Sequence, residues 1–166
     1  MFSIGLTSGL YSIAYSALEL SPRPKILGWE VMPGPRKKRE VSHYRRYKAH
    51  RLMFEAIFLR WPPTVIGLGP PSSEEEPIEW VTFMRTAVFE LGKSVGIPVV
   101  LFDTDEHLSR ALALETGRAS SGLKTLIQKQ MPHFKSNKRR VILATATALA
   151  GAAHLRARHS MENPTR

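Results

Sequence analysis

"FSIGLTSGLYSIAYSAL", residues 2–18, decides the fold. Apolar and small residues run through 2–7, break at Ser8-Gly9 and resume over 11–18. That pattern reads as two strands joined by a hairpin-like turn. Working outward, Pro22 and Pro24 mark the next turn, and KILGWEVM, residues 25–32, reads as a third strand. The chain therefore opens on a three-stranded antiparallel meander. Many nucleases and phosphotransferases begin with such a hairpin and carry an aspartate at the end of the first strand. Here that place is Thr7.

The next stretch, PGPRKKREVSHYRRYKAHR at 33–51, starts as a Pro/Gly loop. Ser42 is a candidate N-cap for a helix to about Arg60, which Trp61-Pro62-Pro63 stops. Tyr44, Tyr47, Met53, Phe54, Ile57 and Phe58 approximate its apolar stripe. TVIGLG, 64–69, reads as a buried strand, and the glutamates of PPSSEEEP lead into a helix through Lys93. Acids in a first helical turn suit the positive end of the helix dipole. Gly96 ends that unit, and IPVVLFD, 97–103, is a further buried strand. The β-α-β order predicts a right-handed crossover and parallel pairing. Helices are expected over 106–115, 119–131 and 138–158. The expected fold is α/β: a mixed five-stranded sheet, meander plus parallel strands, flanked by helices. One domain spans 1–160, and 161–166 reads as a frayed tail.

A chain of 166 residues with 43% hydrophobic content fits a single domain with a real core. It has no cysteine, which removes disulfides, thiolate metal sites and thiol nucleophiles. No segment stays apolar for the about 18 residues a membrane span needs. The N-terminal apolar run follows no basic region and has no clear cleavage site, so a soluble cytoplasmic protein is expected, with no membrane partner. Twenty-four Lys and Arg against fourteen Asp and Glu give a net charge of +10. A surface that basic favours polyanions, above all nucleic acid.

Four stretches resemble the RuvC/YqgF branch of the ribonuclease H-like superfamily, which includes the bacterial Holliday junction resolvases. "IGLTSGLYSIAYSAL" is similar to that branch's opening hairpin, with Thr7 at the aspartate. "TVIGLG" resembles the strand that ends in a glutamate in resolvases. "IPVVLFDTDEHLSRALA" resembles a YqgF stretch, matching at Asp105, Glu106, Leu108 and Ser109 with a two-residue shift. "KRRVILATATALAGAAHLRA" resembles the final helix, where resolvases carry aspartates and this chain has Ala144 and Thr147. The resemblance covers roughly residues 2–158. It implies a ribonuclease H-like fold, DNA partners, dimers, and two divalent metals held by clustered carboxylates. In such a site one metal activates the attacking water and the other stabilises the leaving oxygen.

The departures from that pattern fall on the metal site. Magnesium and manganese are hard ions and need oxygen anions. The implied positions are Thr7, then Gly67 or Gly69, then Ala144 and Thr147. None carries a carboxylate, and the last helix has no acid from Val141 to Ser160. Asp103 and Asp105, the two aspartates of the chain, and Glu106 survive as weak catalytic candidates from one local segment. Their bland reading is a solvated helix start with Asp105 as cap. No metal is expected, and magnesium or manganese enters only if those three acids form a rebuilt nuclease site.

Other chemistries find little support. The six histidines form no HxxxH pair, so they give no zinc motif and read as surface or phosphate-facing groups. Gly67-Leu68-Gly69-Pro70-Pro71 lacks the Gly-Lys-Ser/Thr of a phosphate loop, and its prolines remove two backbone donors. No nucleophile elbow occurs.

Two basic clusters carry the positive signal. Arg36, Lys37, Lys38 and Arg39 lie on the loop, followed by His43, Tyr44, Arg45, Arg46, Lys48 and Arg51 on the helix. Such cations neutralise phosphates, and exposed aromatics stack on unpaired bases. The alternative is a solvated face with its tyrosines in the core. Lys135, Lys138, Arg139 and Arg140 gather at the start of the last helix, where cations oppose the helix dipole and folding does not favour them. The sequence thus points to a catalytically degenerate RuvC-like domain, a homodimer or a subunit of a nucleoprotein complex, that binds structured or branched DNA, or RNA, without cleavage. The alternatives are an active, divergent metal-dependent junction resolvase and a structural scaffold subunit of a larger complex.

Overall fold

In the computed structural model, residues 1–9, 12–21, 23–33, 42–73, 78–116 and 122–162 are described. The opening hairpin forms β1 (Phe2–Gly9) and β2 (Ser12–Glu19), paired antiparallel from Phe2↔Glu19 to Gly9↔Ser12. β3 (Lys25–Pro33) adds antiparallel to β2, with a register shift at Ala17/Leu18. Then come α1 (His43–Arg60), β4 (Val65–Leu68), α2 (Ile78–Val95) and β5 (Val99–Leu101). α3 (Asp105–Thr116), α4 (Leu123–Gln130) and α5 (Arg139–Glu162) complete the order. β4 lies parallel to β1, and β5 parallel to β4, giving the sheet order β3-β2-β1-β4-β5.

The expected mixed five-stranded sheet is what forms. The meander and both parallel pairings stand, and each predicted helix is present. Boundaries move by a few residues. α5 continues through Glu162, beyond the expected end at 158. Gly96 does close α2, and it does so at φ 71, a left-handed conformation that glycine adopts without steric cost.

Side chains alternate across the sheet. Ile4, Leu6, Ile13, Tyr15, Ile66 and Leu68 point to one face and pack with Phe54, Ile57 and Phe58 of α1 and Met84, Ala87 and Val88 of α2. The opposite face is covered by α3, α4 and α5, whose Leu108, Leu112, Leu126, Ile127, Val141 and Leu149 form a second cluster with Leu18 and Phe102. Both faces of β1 and β4 are therefore buried, which explains their near-continuous apolar reading.

Candidate functional site

The candidate site lies where α5 crosses the carboxyl ends of β1 and β4. Ser3, Gly5 and Thr7 share the face of β1 that meets α5. Ser3 Oγ donates to the Ala148 carbonyl at 2.6 Å. A side chain at Gly5 would overlap the Ala144 carbonyl and the Ala148 nitrogen. On β4, a Cβ at Gly67 would lie 2.7 Å from Thr147 Cγ2, and one at Gly69, just past the strand, would strike Thr147 Oγ1. A Cβ at Gly151 would come within 3.4 Å of the Gly67 nitrogen. The helix backbone thus rests almost directly on the strands, an approach that only glycine and other small residues permit.

The structure therefore brings Thr7, Gly67, Gly69, Ala144 and Thr147 to one layer between α5 and the strands. Thr7 is fully buried, and its Oγ1 donates to the Pro70 carbonyl at 2.5 Å. Thr147 Oγ1 donates back to Leu143 O at 2.7 Å, and Thr145 Oγ1 meets Ser16 Oγ at 3.2 Å. The hydroxyls of Ser3, Thr7, Thr145 and Thr147 each have a partner within the protein. These residues do not fit a pair of divalent cations: they offer no anionic oxygen, and backbone and methyl groups fill the space. Among the described residues, no group of three or more His, Asp or Glu side chains could hold a metal ion.

Of the three surviving acids, Asp103 and Asp105 face arginines. Arg85 Nη1 donates to Asp103 Oδ1 at 3.0 Å, and Arg139 Nη2 to Asp105 Oδ2 at 2.9 Å. Glu106 is exposed. Asp105 is not the α3 cap. The His107 amide donates to Thr104 Oγ1 at 3.0 Å, so Thr104 caps and Asp105 is left to pair with Arg139.

The cations divide between the two sides of the sheet. α5 begins with the second cluster: Arg139 Nε donates to Ser72 O at 3.1 Å, and Arg140 Nη1 to Ser12 Oγ at 2.7 Å. Ser72 in turn donates its amide to Ser8 O at 2.9 Å, tying the loop after β4 to the end of β1. Lys138 Nζ stands 5.6 Å from the Trp29 ring, which is 44% exposed on β3. Lys135 is exposed nearby in sequence. The first cluster belongs to the helix on the other face. Ser42 Oγ does cap α1 by accepting from the Arg45 amide. Tyr44, Arg45 and Lys48 are exposed, and Arg51 pairs with Glu55 at 3.0 Å. Arg36, Lys37, Lys38 and Arg39 lie outside the described residues, as do the side chains of His43 and Arg46.

The two tyrosines part company. Tyr44 is 70% exposed, away from the core stripe in which the sequence pattern placed it. Tyr47 packs against the core and its hydroxyl donates to Glu90, whose carboxylate pushes the phenol pKa up. His50 overturns its surface assignment: it is fully buried, with its ring 4.4 Å from that of Trp80. Sequence reasoning missed Ser12, Ser72 and Trp29. None is charged, and each earns a place only through a long-range contact; Trp29 was legible solely as one more aromatic on a strand.

The T. thermophilus RuvC structure superposes with a TM-score of 0.75 at 16% identity, covering 95% of this chain and 96% of that one. The fold is that of the RuvC resolvases. T. thermophilus RuvC in complex with a Holliday junction substrate gives a TM-score of 0.72 at 15% identity, with the same coverage of 95% and 96%. The yeast mitochondrial Holliday junction resolvase gives 0.60 at 14% identity, over 98% of this chain and 83% of that one. No protein-family model matches the sequence, and no curated protein matches it. No described helix is long and apolar enough to cross a membrane.

Proposed function

We propose that this chain is a RuvC-like domain that binds nucleic acid and does not cut it. One observation carries the reading: the positions where the resemblance calls for metal-binding carboxylates converge, but they are glycine, alanine and threonine packed against one another. Phosphodiester cleavage by this fold needs oxygen anions to hold its metals, and a hydroxyl already bonded to a carbonyl supplies none. The basic edge supports the binding half of the reading. Lys138, Arg139 and Arg140 sit beside the carboxyl ends of the strands, and the chain carries +10 overall. A neighbour of the same fold is held on a Holliday junction, which favours branched DNA as the first substrate to try. The pairing of Asp103 and Asp105 with arginines weighs against a rebuilt nuclease centre at those acids.

The test is a salt-titrated binding assay with four-way junction, duplex and single-stranded substrates, with and without magnesium or manganese. The expected result is binding that weakens steeply with salt and no cleavage in any metal. Cleavage lost in Asp105→Asn or Glu106→Gln would overturn the reading in favour of a divergent nuclease. Absence of binding to every substrate would leave a protein scaffold as the function.

A further inference from the structure

We propose that Arg140 is the seat of a backbone phosphate, a guanidinium placed at the mouth of the site that carboxylate-held metals would need. This rests on the nucleic-acid reading above and names the residue through which it works. Arg140, Ala144, Thr147 and Gly151 follow one another at helical spacing, so they share the face of α5 that lies on the sheet. Ala144 covers Gly5, and Thr147 and Gly151 cover Gly67. Arg140 stands one turn above them, where the sheet ends. Its Nη1 donates to Oγ of Ser12, the first residue of β2, which pairs with Gly9 at the end of β1. The guanidinium thus sits over the carboxyl end of the strand that carries Thr7.

Its bonding is incomplete for its burial. A guanidinium has five N–H donors and no acceptor. Arg140 is half-buried, and among the described residues its one hydrogen bond goes to a neutral hydroxyl. Arg139, its neighbour, has both a carboxylate and a carbonyl. Arg140 has no ion pair among the described residues. Partial desolvation of a cation without a counter-charge is unfavourable, and a tetrahedral oxyanion taking two N–H groups side by side relieves it. Ser12 accepts from Arg140 and keeps its own proton to donate to the same anion. Placed at a helix start, the charge also opposes the helix dipole, so folding does not account for it.

The experiment measures binding of labelled junction and single-stranded DNA by anisotropy across a potassium chloride series, in EDTA and in magnesium or manganese, for wild type, Arg140→Ala, Arg140→Lys and the distant control Lys93→Ala. Melting curves establish that each variant is folded. Arg140→Ala should lose about tenfold in affinity and lower the slope of log affinity against log salt by about one. Arg140→Lys, which keeps the charge without the fork, should retain the slope and lose part of the affinity. Lys93→Ala should match wild type. An Arg140→Ala protein with wild-type affinity and slope would overturn the seat while leaving the nucleic-acid reading intact. Binding by wild type that vanishes in EDTA would overturn it too, by returning the cation role to a metal. If wild type binds no nucleic acid in any metal, both readings fall.

Discussion

On the α1/α2 side of the sheet, Phe54, Ile57, Trp80 and Met84 stand between the helices and the strands. On the α5 side, between the same two central strands and their helix, there is almost nothing. Gly5, Gly67 and Gly69 meet Ala144, Thr147, Ala148 and Gly151, and serine and threonine hydroxyls close the remaining gaps. One face gains stability from apolar side-chain area removed from water. The other gains it from backbone-to-backbone contact and a few fully satisfied polar groups. The difference teaches where each face tolerates change. A side-chain layer responds by degree when atoms are removed, whereas a seated backbone has no room for atoms to be added.

The largest effect should therefore come from addition on the α5 side. Gly67→Glu forces a carboxylate into the space of Thr147, and the protein should fail to give a cooperative thermal transition by circular dichroism. A Gly67→Glu protein melting near wild type would break the comparison, because the helix would have to stand off freely. Deletion on the other side comes next. Phe54→Ala should cost about 3–5 kcal/mol in urea unfolding, as a fully buried ring leaves a cavity. Thr7→Val keeps the shape and removes the donor to the Pro70 carbonyl, so a loss of about 1–3 kcal/mol is expected in the same assay. Ser3→Ala is the mildest, at about 0.5–1.5 kcal/mol, because the Ala148 carbonyl lies within α5 and keeps its helical bonding. A Ser3→Ala loss as large as that of Phe54→Ala would sharpen the comparison in the opposite direction, with the polar layer outweighing the apolar one.

Much of this was legible in the residues. The hairpin at 2–18 and the order of elements gave the architecture because alternation and turn residues are local signals. The missing carboxylates were legible as well, since an acid-free stretch from Val141 to Ser160 excludes a ligand whatever the register. What fills the space was not legible. Gly5, Gly67 and Gly151 are distant in sequence, and only tertiary packing turns them into a single contact. Asp105 looked like a cap because it opens a helix, but Thr104 reaches the amide first and frees the acid for Arg139. His50 looked like a surface group because histidine usually is; its burial against Trp80 comes from the α1/α2 packing. The Arg140–Ser12 bond joins residues 128 apart, and no spacing rule reaches that far.

The seating of α5 also limits which substitutions the centre accepts. A carboxylate at Gly67 requires the helix to retreat, and retreat strands the Ser3 hydroxyl and opens a void over Gly5. A glutamate at Gly67 brings the ligand and the damage together, so the position is closed to it while the helix stays seated. The centre is closed to larger side chains, whereas the rim, where Arg139 and Trp29 lie exposed, has room for them.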